Sequence, residues 1–148
     1  MKNESTGSAR VLPGGQQGYT IKDAAELLHV PPSTIRYYDK EGLLPFVARL
    51  ESGYRLFSED DMALLRVIEC LKKTGMPIKE IRQFIDWLQE GDASLEKRYE
   101  MFRERRRIVT EQMAELQKTL DMINFKCAYY EDAIASSAQN RENTGHPN

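Results

Sequence analysis

The chain has 148 residues, 41% of them hydrophobic, with a formal net charge of −2 and a pI near 5.8. That is enough for one small globular domain and an elongated element. Two cysteines, no signal peptide and no apolar run long enough for a bilayer exclude a secreted disulfide scaffold and a membrane protein, and leave a cytoplasmic one. Net charge gives no support to nucleic-acid binding. Residues 19–60 carry Lys22, Arg36, Lys40, Arg49 and Arg55 against seven acids, so any DNA contact depends on placement.

Residues 1–18 contain Gly7, Pro13, Gly14, Gly15 and Gly18 without periodicity, and read as a flexible leader. Thr20 then caps a short helix, with Asp23 at the capping-box position and Ile21, Ala24, Ala25, Leu27 and Leu28 facing inward. His29-Val30-Pro31 breaks it. A second helix runs from Pro32 to about Lys40, with proline in the tolerated first turn and Gly42 as its C-cap. Two short helices joined by a tight turn form a helix-turn-helix, whose second member, Ser33-Thr34-Ile35-Arg36-Tyr37-Tyr38, is the groove-reading candidate.

Extended runs at 47–50 and 54–57, joined by Glu51-Ser52-Gly53, predict a small hairpin or wing. Ser58 caps a third helix, with Met62, Leu65, Ile68 and Leu71 inward, Leu64 and Val67 beside them, and Gly75 at its end. A fourth helix over 78–90 turns Ile81, Phe84, Ile85 and Leu88 inward, and Gly91 stops it. Asp92 or Ser94 is placed to cap a fifth, long helix.

Residues 95–134 form that long element. Leu95, Tyr99, Phe102, Arg106, Val109, Met113, Leu116, Leu120, Ile123, Cys127, Tyr130 and Ile134 recur at alternating spacings of four and three, the seam of a coiled coil. The rod is on the order of 50 Å long, whereas a globule of the preceding residues has a radius of gyration near ~11 Å. Leaving Phe102, Val109, Met113, Leu116, Leu120 and Ile123 in water forfeits on the order of 10 kcal/mol per chain. A second copy is the simplest cover, so a homodimer is expected. The helix is assigned to 92–135 as the dimerisation domain, and 136–148 to a disordered tail.

Tyr19-Thr20-Ile21, Ser33-Thr34-Ile35-Arg36-Tyr37-Tyr38-Asp39, Gly42-Leu43-Leu44-Pro45, the run from Gly53 to Asp61, and Thr74-Gly75-Met76-Pro77-Ile78 together resemble the MerR family of transcriptional regulators in order and spacing. The resemblance implies a mainly α fold: a winged helix-turn-helix DNA-binding head over 19–90 and an antiparallel coiled-coil homodimer. It implies binding to a two-fold symmetric operator between promoter elements set far apart. Distortion of that DNA would then govern RNA polymerase indirectly. It implies no catalysis and no cofactor.

The residues must supply the contacts. Arg36 can grip a guanine edge or a phosphate. Ser33 and Thr34, with their own N–H groups, and Thr20 can donate to the DNA backbone. One of Tyr37 and Tyr38 can pack inward while the other offers its hydroxyl. Arg49, Tyr54 and Arg55 on the wing, and Lys79 at the start of the fourth helix, are candidates for flanking phosphates. The structural alternative puts both tyrosines in the core and pairs Arg36 with Asp39 or Glu41.

Metal sensors of the family carry a closely spaced cysteine pair after the dimer helix, and multidrug sensors an extra effector domain. Neither is expected here, and His146 reads as a tail residue. Cys70 has the cationic neighbours Arg66 and Lys73 that make a thiol reactive, with Glu69 opposing them. Its position is similar to that of the reactive cysteine in the aldehyde-sensing, AdhR/NmlR-like branch, which also has a Glu-Gly-Asp stretch like Glu90-Gly91-Asp92. The alternative is a helix cysteine filling space. Cys127, on the seam, reads as a small interface residue. Trp87, Phe84 and Tyr99 are candidates for a small pocket, and the basic run 103–107 reads as a solvated face.

Two other classes stand beside this one. No Gly-rich phosphate loop, and no histidine beside an acid or nucleophile, supports an enzyme. A coiled-coil adaptor with a protein-binding head would suit the acidic balance but not Arg36-Tyr37-Tyr38. A regulator of the same family sensing an unrelated small molecule is the remaining alternative.

Overall fold

The computed structural model describes residues 11, 12, 15 and 17–145. Most of the expected leader, and the last three residues of the expected tail with His146, lie outside them. The chain divides into two compact units, Met1–Arg103 and Glu104–Asn148.

In the first unit the elements come in the order α1 (Ile21–Leu28), α2 (Pro32–Lys40), β1 (Ala48–Arg49), β2 (Arg55–Leu56), α3 (Glu59–Lys73), α4 (Ile78–Glu90), a 3-10 turn (Gly91–Ser94), and the start of α5 (Leu95–Thr144). Full capping boxes open α1 and α3. Thr20 Oγ1 accepts from the Asp23 N–H while the Asp23 carboxylate accepts from Thr20, and Ser58 and Asp61 exchange the same pair of bonds. Such caps satisfy amide groups that a helix start otherwise leaves bare. Gly42 and Gly75 close α2 and α3 with φ of 78° and 90°, a region that favours glycine because it has no Cβ.

One apolar core ties these elements together: Ile35 and Tyr38 from α2, Leu43, Leu44 and Val47 from the adjoining loop, Phe57 after the wing, and the inner faces of α3 and α4. Those two faces are the predicted ones. In α1, however, only Ala24 and Ala25 are fully buried and Leu27 is 49% exposed; eight residues cannot turn five apolar side chains to one side.

The wing is antiparallel, pairing Ala48 with Leu56 and Arg49 with Arg55. A contact not visible in the sequence pattern extends it: Tyr19 and Phe57 exchange backbone hydrogen bonds of 2.7 Å each. Gly18 makes this approach possible, because a Cβ there would lie 2.4 Å from Leu56 Cγ, and Leu56 is fully buried.

At the far side of the unit the expected cap of α5 is absent. Ser94 is fully buried, and its hydroxyl donates to the Trp87 carbonyl, with the Gly91 carbonyl 2.9 Å away. Arg98 donates to Ser94 Oγ at 3.0 Å and to the Gly91 carbonyl at 2.9 Å. The serine thus joins the end of α4 to the first turn of α5. Phe84 is buried edge-on against Phe102 at 5.2 Å, while Tyr99 is exposed, so the aromatics pack differently from the pocket predicted for them.

The second unit is the rest of α5. Its seam side chains Met113, Leu116, Leu120 and Ile123 are 48–68% exposed and border a shallow groove. Arg107 pairs with Glu104 and Glu111 at 2.5 and 2.6 Å and Arg103 with Glu100 at 3.3 Å, so these two arginines of the basic run lie on a solvated, self-compensated face, whereas Arg105 is half-buried. Off the seam, Met122, Phe125 and Tyr129 form a second exposed apolar row outside the heptad pattern. The helix continues to Thr144, beyond the predicted end near residue 135. Ala135, Ala138, Gln139, Arg141 and Glu142 are favourable helix formers, and extending an existing helix needs no new nucleus. Among the described residues no helix is long and apolar enough to cross a membrane.

Gly18→Ala should force the Tyr19–Phe57 bridge off Leu56 and cost about 1–3 kcal/mol of overpacking. Urea unfolding of the full chain checks this, and an unchanged midpoint would contradict the close-approach role.

Candidate nucleic-acid interface

The helix-turn-helix and wing enclose a cleft of about 530 Å³. Its walls include Ile21, Leu50 and Leu56, and Lys22, Arg36 and Tyr54 also line it. Arg36 reaches it because α2 buries Ile35 and Tyr38, which turns the two residues between them, Arg36 and Tyr37, outward. Lys22 sits in the first turn of α1, two residues after the Thr20 cap; its exposure results from the burial of Ala24 and Ala25. It was not among the residues expected to meet DNA because no family motif marks it, although its place on α1 is legible in the sequence.

The alternative for Arg36 is resolved by where the neighbouring acids go. Asp39 takes the Arg55 guanidinium at 2.8 and 3.2 Å, with Arg49 at 3.8 Å. Glu41 takes Arg82, through its carboxylate at 3.0 Å and its carbonyl at 2.8 Å. Arg36 is exposed and makes no ion pair or hydrogen bond within the described chain.

The two tyrosines divide between core and surface. Tyr38 is fully buried and donates to the Glu69 carboxylate on α3, and burial, reinforced by that bond, pushes its phenol up from the ordinary value. Tyr37 is 41% exposed. Lys72 Nζ lies 5.3 Å from the Tyr37 ring centre and 5.1 Å from that of Tyr38, so a cation from α3 is held against both.

Among the other candidates, Ser33 is exposed at the start of α2, and Thr34 is half-buried with its N–H already given to the Pro31 carbonyl at 3.0 Å. Thr20 is likewise engaged in its cap. Of the two amides expected as phosphate donors, Ser33 and Thr34, that of Thr34 is therefore spoken for. Tyr54 is 73% exposed at the wing, and Lys79 is exposed in the first turn of α4. Arg49 is exposed and donates to the Gly53 carbonyl at 3.2 Å. Arg55 departs most from the sequence-based expectation: it is committed to Asp39 and, at 2.8 Å, to the Val47 carbonyl, with its side chain only 16% exposed. With three of its five N–H groups given to Asp39 and Val47, this guanidinium ties the wing down.

Cys70 is exposed on α3, on the side away from the buried row Met62, Leu65, Ile68 and Leu71. Glu69, expected to oppose it, instead directs its carboxylate to Tyr38. Cys127 is exposed on α5, and among the described residues no group of three potential metal ligands is gathered.

Residues 19–88 match the model of the MerR HTH family of regulatory proteins, and residues 62–124 match that of the MerR DNA-binding region. An HTH-type transcriptional regulator of Haemophilus influenzae is 42% identical over 117 residues, which is 79% of this chain and 87% of that protein. The chain belongs to the MerR family. It is a DNA-binding transcriptional regulator, and its relatives are regulators with no enzymatic role.

Solved MerR structures share the fold. HiNmlR, described as a MerR family regulator lacking the sensor domain and bound to promoter DNA, is 41% identical, with a TM-score of 0.74 covering 80% of this chain and 94% of that one. A MerR-family regulator from Bacillus thuringiensis is 43% identical, with a TM-score of 0.73 covering 77% of this chain and all of that one. AdhR of Bacillus subtilis is 31% identical over 90 residues, 60% of this chain and 64% of that protein.

Proposed function

We propose that two copies of this chain, joined along α5, read a two-fold symmetric promoter operator, with α2 as the groove-reading helix. The observation that carries this is Arg36: an exposed, unpaired guanidinium beside a cleft, with both nearby carboxylates occupied by other arginines. A free guanidinium can present two parallel donors to a guanine edge or a phosphate. Ser33, Tyr37 and Lys22 flank it, and Arg49, Tyr54 and Lys79 supply phosphate contacts farther out; Thr20 and Thr34 act by shaping the helix starts. Because such contacts depend on position, the acidic overall balance does not prevent them. The likeness to HiNmlR on promoter DNA supports the same reading. Action on polymerase is indirect, through the shape of the promoter, and the protein is cytoplasmic.

For the signal, we propose a soft electrophile such as an aldehyde, captured at Cys70. The thiol is open to solvent and shares its helix face with Arg66 and Lys73, and neighbouring Glu69 is turned to Tyr38. Partial identity to AdhR and HiNmlR favours this branch. A different small molecule, sensed elsewhere, is the competing reading.

Two substitutions test these proposals. Arg36→Ala should weaken binding to the DNA upstream of the protein's own gene by about 1–3 kcal/mol in fluorescence anisotropy; unchanged affinity removes Arg36 from the interface. Cys70→Ser should leave that binding intact and abolish aldehyde-dependent transcription from the promoter. Full induction in the variant would discard the electrophile reading.

A further inference from the structure

The arginine pair of the wing and the last turn of α2 form a junction that DNA reading alone does not account for. Arg49 and Arg55 are cross-strand partners, two like charges directly opposite each other. Asp39 stands against both: Arg55 donates to its two oxygens at 2.8 and 3.2 Å, and Arg49 lies at 3.8 Å. Arg55 also donates to the Val47 carbonyl at 2.8 Å, so one guanidinium joins α2, the residue before β1, and β2. The joint is largely withdrawn from water, with the Asp39 and Arg55 side chains 23% and 16% exposed. Asp39 is three residues after Arg36 on α2, one turn along the same helix. Whatever fixes Asp39 against the wing therefore fixes the roll of α2, and with it the direction of Arg36 in the cleft that Tyr54 also lines.

We propose that Asp39 is a positioning residue for operator recognition. Through Arg55 it locks the wing to α2, so that base-reading and phosphate-gripping groups meet one operator in register. This rests on the DNA-reading function above. Its role is geometric: an acid at a DNA-binding surface lowers the general attraction for phosphate while raising the discrimination between sequences.

The test uses the full-length protein and an operator chosen by the wild type from a pool of random duplexes. Binding to that duplex and to a scrambled one is measured over a range of salt concentrations, with thermal melting in parallel. Arg55→Lys keeps the charge but cannot bridge both Asp39 oxygens and Val47. It should lower the specific-to-scrambled ratio by about tenfold, with a modest fall in melting temperature from the lost hydrogen bonds and its affinity for scrambled DNA near wild type. Asp39→Asn should lower the ratio by raising affinity for scrambled DNA with no gain on the operator, and Asp39→Glu should restore part of it. Should Asp39→Asn fail to fold, Arg55→Lys carries the test.

A wild-type ratio in Arg55→Lys overturns the proposal. So does tighter operator binding by Asp39→Asn with a salt slope steeper by about one, because Arg55 would then be a phosphate contact that Asp39 merely restrains. Equal losses on both duplexes overturn it too, as a general structural defect. If the wild type selects no consensus at all, the DNA-reading function itself fails, whatever the variants do.

Discussion

From residue 110 to 144 every residue of α5 is exposed, although Met113, Leu116, Leu120 and Ile123 recur at heptad spacing. Burying each of these is worth roughly 1–2 kcal/mol at their observed exposure, and the helix has no other element of its own unit to pack against. A surface of this shape is completed by an identical surface, since a heptad seam accepts another seam knob into hole. The second row of Met122, Phe125 and Tyr129 widens the apolar face toward the end of the helix. A second copy brings a second helix-turn-helix with it, as two-fold symmetric recognition of DNA requires.

The head meets the opposite problem. It is small, and its elements are short, so its order comes from junctions. Two capping boxes fix where α1 and α3 begin, Tyr19 and Phe57 zip the entry strand to the wing, and Arg82 ties α4 to the end of α2 through Glu41. Tyr38 connects α2 to α3 through Glu69. Each junction consumes a polar group that could otherwise have faced DNA. Arg36, exposed on α2, stands outside these junctions.

Much of this is readable from the residues. Capping boxes are local, so Thr20–Asp23 and Ser58–Asp61 declare their helices, and the buried faces of α3 and α4 come from periodicity. The division of labour between Tyr37 and Tyr38 stays open in the sequence, since adjacent helical positions face different ways and only the surrounding core decides which is inside. The Arg55–Asp39 pair is not legible in the sequence because the two residues are distant along the chain. Ion pairs between elements leave no spacing signature, and a wing arginine looks the same whether it reaches phosphate or holds the wing. Ser94 fails for a related reason: a serine before a helix usually caps it, and here two carbonyls from the end of α4 and the turn after it compete for the same hydroxyl.

The seam of α5 therefore governs the whole account, and the mass of the intact protein in solution tests it most directly. Sedimentation equilibrium of the full chain at micromolar concentration should give a single species of twice the 17.1 kDa chain mass. A folded species of 17.1 kDa that persists at that concentration would contradict it.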